Sequence, residues 1–139
     1  MKFFLSILTL SFLLFTGCTS DSESTISGEL IGKWKLSKEV VNKKTLSYTE
    51  NPIKTILSIE EEGYFHLYDD VSDSGLGDEI GNIQSHYKGQ YVYENTSLQL
   101  KHEEDGVEKT EEFTVKKISE TELILLQEEH KKELHYSKL

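Results

Sequence analysis

With 25 acidic side chains against 15 lysines and a formal charge of −10, this 139-residue chain is repelled by nucleic acid and by anionic lipid headgroups alike. It has no arginine, so it lacks the bidentate fork that phosphate and carboxylate sites favour, and its single cysteine excludes any disulfide within the chain. The length suits one domain around one core. The first element in chain order is a leader: Met1-Lys2 is a short positive stretch, residues 3–15 are apolar, and Thr16-Gly17 places two small residues before Cys18. That run is too short to span a bilayer, which needs about 20 residues. It reads as the hydrophobic region of a secretory signal peptide, residues 1–17.

Leu14-Phe15-Thr16-Gly17-Cys18 resembles a bacterial lipobox, in which the thiol is acylated and the peptide is cut just before it; Phe15 stands where leucine is usual. The other reading is an ordinary signal peptide cut elsewhere, with Cys18 left as a lone thiol. Each acyl methylene buried in the bilayer would contribute about 0.8 kcal/mol, so more than one chain anchors effectively for good. Residues 18–27 then form a polar, acidic tether with nothing to seed a core. Within it, Ser20-Asp21-Ser22-Glu23 is similar to the export signal of Bacteroidetes-type surface lipoproteins, although any acidic tether would look alike. Thr19 is not the aspartate that retains many lipoproteins on the inner membrane. Lipid anchoring at the outer membrane is expected, with periplasmic and cell-surface display both open.

Residues 28–139 read as β throughout, with glycine and acidic clusters punctuating a period of two. A helical turn over residues 27–31 is expected to lead into a first strand at residues 30–36, with Trp34 and Leu36 on one face and Lys33 and Lys35 on the other. Residues 54–59 and 64–68 flank a tight turn with Gly63 where positive φ is wanted. Ile83, Ser85, Tyr87, Gly89, Tyr91 and Tyr93 alternate against Gln84, His86, Lys88 and Gln90. Asn95-Thr96 and Asp105-Gly106 mark turns into strands through Leu98-Leu100 and Phe113-Ile118, and residues 122–128 and 133–138 complete eight strands. Eight antiparallel strands in simple order predict an all-β, up-and-down barrel, since closure removes exposed edges. An outer-membrane barrel is excluded by the charged face carrying Lys33, Lys35, Gln84, Lys88, Lys101, Glu112 and Lys116.

Gly32-Lys33-Trp34 resembles the Gly-x-Trp signature of lipocalins, and the spacing along residues 28–138 is similar to the lipocalin-like domains of Bacteroidetes-type lipoproteins. The resemblance continues through the Gly63 hairpin, Gly89-Gln90-Tyr91, and Thr121 with Leu123 and Leu125. It implies a lipocalin-like barrel. Departures are the missing disulfide, the missing C-terminal helix, and the absence of a late arginine to pack over Trp34.

No catalytic set is legible. There is no Gly-x-Ser-x-Gly elbow, the five histidines lack metal spacing, and paired acids such as Glu60-Glu61, Glu103-Glu104 and Glu111-Glu112 fall at turns or in polar stretches. The chain is therefore expected not to be an enzyme and to need no cofactor. The acidic loop at residues 69–82 could take a cation, but an EF-hand frame from Asp70 puts Gly81 where the bidentate glutamate belongs. It reads better as a solvated loop at a barrel mouth. His86 is expected to face solvent, and His102, in phase with Leu98 and Leu100, to face inward with its polar atoms satisfied.

Inward aromatics carry the remaining signal. Trp34, Tyr87, Tyr91, His102 and Tyr136 are the candidate ligand-binding residues, with Phe65, Tyr93 and Phe113 beside them, unless these rings simply fill the barrel. Two functions follow. One is an anchored carrier of a small apolar molecule, which calls for a cavity on the order of several hundred Å³ lined by Trp34, Tyr87 and Tyr91. The other is an anchored interaction or structural module that meets a protein or glycan with its loops or acidic outer face.

Overall fold

The computed structural model describes residues 29–75 and 81–139. The expected signal peptide (residues 1–17), Cys18 and the whole of the expected tether (residues 18–27) lie outside these residues, as do residues 76–80 of the acidic loop. After a helical pair at Glu29-Leu30 come nine strands: β1 (Gly32–Val41), β2 (Lys44–Ser47), β3 (Lys54–Ile59), β4 (Tyr64–Asp70), β5 (Ile83–Glu94), β6 (Ser97–Glu104), β7 (Val107–Ile118), β8 (Glu122–Gln127) and β9 (Lys132–Lys138). A 3-10 turn at Ser72–Ser74 follows β4. All pairings are antiparallel: β1 lies between β2 and β3, β3 to β9 follow in chain order, and β9 pairs back onto β1.

Eight strands, β1 and β3 to β9, therefore close a barrel, as expected. β2 was not foreseen. It is a short flap on the outer half of β1, which pairs with β3 through Gly32–Lys35 and with β2 through Lys38–Val41. Its hairpin is made by Asn42 and Lys43, at φ 50° and 67°, and Asp105-Gly106 repeats the arrangement at 54° and 77°. Two successive positive φ values match the strand twist that a two-residue hairpin needs.

Alternation in the sequence places the core correctly except where a strand bulges. One extra residue interrupts β1 at Ser37, β5 at His86 and β7 at Lys116. Such bulges bend and twist a strand, which helps a small sheet to close. The one in β5 also reverses the phase of what precedes it. Tyr87, Gly89, Tyr91 and Tyr93 hold the inner face, but Ser85 and Ile83 turn outward, and Ile83 is 58% exposed. The expectation of one uninterrupted inner row from Ile83 is corrected: a period of two survives only while the pairing register does.

One end of the barrel is solid. Leu30, Trp34, Leu57, Ile59, Phe65, Leu98, Leu123 and Leu125 are fully or almost fully buried there and in the barrel's middle. The indole Nε1 of Trp34 donates to the Leu30 carbonyl at 2.7 Å, which ties the entering chain across the floor. The ammonium of Lys138 lies 4.9 Å from the Trp34 ring centroid, so a late cation does cover the indole although the chain has no arginine. The opposite end, with the turns at residues 42–43, 105–106 and 128–131, is the mouth.

Candidate functional site

Below the mouth, the barrel interior holds a cavity of about 140 Å³. Its floor is leucine, from Leu36, Leu57, Leu100, Leu125 and Leu134, with Phe113 at one side. Polar groups ring it higher up: Glu39, Thr55, Glu111, Gln127 and Lys132. The alternating inner positions of short antiparallel strands make this gradient, the strands running from apolar residues at the closed end to polar or charged ones at the mouth.

A three-residue cluster forms one wall. His102 on β6 pairs with Gly89 on β5, and because Gly89 has no side chain the ring of Tyr87 fills the space over the imidazole. The two rings stack at 3.9 Å between centroids, only 12° from parallel. Tyr87 donates its hydroxyl to Glu111 Oε1 at 2.7 Å, and His102 Nε2 lies 3.6 Å from the same oxygen. His102 is buried with neither ring nitrogen hydrogen-bonded, so the expected satisfied histidine is corrected. On the far wall Lys132 Nζ meets Glu39 Oε1 at 2.9 Å.

Burial first, then the hydrogen bond and charge of Glu111, raise the Tyr87 hydroxyl far above the ordinary tyrosine value. Tyr136, fully enclosed beside the cavity, is also held well above it, by burial first and then by the charges of Glu39 and Glu111. Both hydroxyls stay protonated in the folded chain while an unfolded tyrosine ionises near 10. Folding therefore binds protons that the unfolded chain releases. The resulting stability is whole below pH 10 and is lost as pH rises from there toward the folded values. For Tyr136 alone, the stability measured by urea unfolding should fall by about 1.4 kcal/mol per pH unit above pH 10, and Tyr136→Phe should remove that increment. An unchanged slope in the variant would contradict the assignment.

Of the expected ligand residues, Tyr87 and Tyr136 line the cavity and His102 stacks behind Tyr87. Trp34 and Tyr91 do not belong to it. Trp34 is packed into the closed end, and Tyr91 donates its hydroxyl to the Glu60 carbonyl at 3.1 Å, beside the β3–β4 turn. Glu39, Gln127 and Lys132 carry no such signal in the sequence, and the reading of Glu111-Glu112 as a solvated polar pair is corrected for Glu111, which lines the cavity. For Glu111 the signal was present, because it shares the phase of Phe113 and Val115 on β7. Among the described residues, no group of three or more His, Cys, Asp or Glu could hold a metal ion, and no helix is long and apolar enough to cross a membrane. His86 is exposed, with Nε2 at 3.0 Å from Asp69 Oδ2.

A second recess lies beside the first. The mouth half of β7 pairs only with β6, because β8 ends at Gln127 and turns back into β9. The split leaves an open wedge of about 610 Å³ between β7 and the β8–β9 turn. Wedge and cavity share Glu111, Phe113 and Gln127.

Residues 30–125 match the family model described as Lipocalin-like domain. The chain is also similar in structure to a lipocalin-like protein from Bacteroides uniformis, at a TM-score of 0.58 and 16% identity, over 81% of this chain and 100% of the other. No curated protein matches.

Proposed function

Because the chain belongs to the lipocalin-like domain family, we propose that it is an envelope lipoprotein, anchored to the outer membrane by lipid on Cys18, that binds a small, partly apolar molecule in its barrel. It acts as a binding protein and not as an enzyme. The observation that carries this function is the leucine-floored cavity of about 140 Å³ beneath a polar mouth. Its size narrows the ligand. It falls well short of the roughly 300 Å³ at which pockets for drug-sized molecules begin, and it lacks Trp34 and Tyr91 from its lining, so a long-chain carrier is not favoured. The chain enters the barrel at the closed end, where the backbone carbonyl of Glu29 accepts from Lys138 Nζ at 3.4 Å. An anchor before residue 29 would thus join the barrel at the end opposite the mouth.

A second role, docking a protein or glycan at the mouth, draws on Ile83 and Val107, which are 58% and 59% exposed there. Native mass spectrometry of the protein extracted from its own envelope separates the two. Expected are a chain that begins at Cys18, an added acyl mass, and a small molecule released on activation. An unacylated chain that retains residues 1–17 would overturn the anchor. A chain with no small molecule but a bound macromolecule would overturn the carrier role in favour of docking.

A further inference from the structure

Resting on the ligand-binding role proposed above, we infer that Glu111 receives the positively charged head of a small organic amine, whose short apolar body lies in the barrel cavity. Glu111 stands where the β7–β8 wedge meets the interior, since it lines both. The wedge is strongly anionic: Glu111, Glu112, Glu128 and Glu129 line it and no lysine does. A cleft walled by one sign of charge concentrates ions of the other sign. On the inner side, Phe113, Leu100 and Leu125 offer only apolar surface. One polar end and one apolar end therefore meet at a single carboxylate.

Nearby cations are already engaged. Lys132 in the cavity wall is held by Glu39 at 2.9 Å, and the ammonium of Lys109 pairs with Glu104. Among the described residues no lysine forms an ion pair with Glu111; its neighbours are the neutral hydroxyl of Tyr87 and the His102 ring, 3.6 Å away. That ring is itself buried, and neither nitrogen has a hydrogen-bond partner. A half-buried carboxylate with no strong cation beside it is the group that a charge-assisted N–H donor satisfies best. An anionic head would face the four glutamates of the wedge instead. Size sets the body: about 140 Å³ equals the liquid volume of roughly five waters, room for a chain of about four carbons.

Three probes of one length test this: n-butylammonium, n-butanol and butyrate, titrated into the purified protein and followed by backbone amide shifts. Butylammonium should bind at least about tenfold more tightly than either of the others, and the shifts should centre on Glu111, Phe113 and Leu125. Glu111→Gln should reduce the amine to the affinity of butanol. Equal affinity for amine and alcohol, or an amine preference that survives Glu111→Gln, overturns the amine head and leaves the apolar site standing. Failure of all three probes to bind overturns both. The comparison on the unaltered chain decides the point even if the variant does not fold.

Discussion

Replacing Gly89 with alanine should be among the most damaging single changes in this barrel, lowering unfolding free energy by about 3 kcal/mol or more. A Cβ built on Gly89 lies 1.9 Å from the Lys101 carbonyl oxygen, 2.9 Å from its carbon and 3.0 Å from the His102 Cα. All three are backbone atoms of β6, so no rotamer change relieves the clash; β5 and β6 must part. Gly89 pairs with Phe65 on one side and His102 on the other, which spreads the disturbance from the closed end to the Tyr87 cluster. Gly63 supplies the control. It sits at φ +84° with nothing within 4 Å of a built Cβ, so alanine there meets only backbone strain, costing on the order of 1 kcal/mol. Urea unfolding followed by far-UV circular dichroism measures both. If Gly89→Ala proves no worse than Gly63→Ala, the close approach of β5 and β6 is wrong.

Trp34→Ala should cost about 3–5 kcal/mol, comparable to much of the stability of a domain of this size. Three losses coincide: a fully buried indole, the hydrogen bond to the Leu30 carbonyl, and the face over which Lys138 sits. Trp34→Phe keeps most of the ring and removes the donor, leaving a buried carbonyl unpaired, and should cost about 1–3 kcal/mol. Because Trp34 is the only tryptophan, circular dichroism and not tryptophan emission must follow these variants. A loss below about 1 kcal/mol for the alanine variant would mean that the closed end is not where the barrel is held.

The candidate site was legible only in part. Tyr87 and Tyr136 could be assigned to the interior because each lies in phase with apolar neighbours on its strand. Trp34 and Tyr91 are inward too, yet an inward phase does not say how far along the barrel axis a residue sits, and both lie toward the closed end. Glu111 was passed over because a pair of adjacent glutamates looks like solvated surface, although in a strand one of the two must point inward. Lys138 shows the same limit from another side. Lys138 is the penultimate residue of the sequence, and only the pairing of β9 with β1 brings it over Trp34.

By itself the sequence determined the class of fold, the eight barrel strands, their order and most of their inner faces. These follow from local alternation and turn chemistry, which act over a few residues. Tertiary structure alone decided the rest. The bulges at Ser37, His86 and Lys116 reset the phase within strands, and the register of β5, β6 and β7 brought Tyr87, His102 and Glu111 to one wall. Register is a property of paired strands, summed over their contacts, and no single strand records it. The early end of β8, which opens the wedge onto Glu111, is likewise visible only once its neighbour is seen to run on without it.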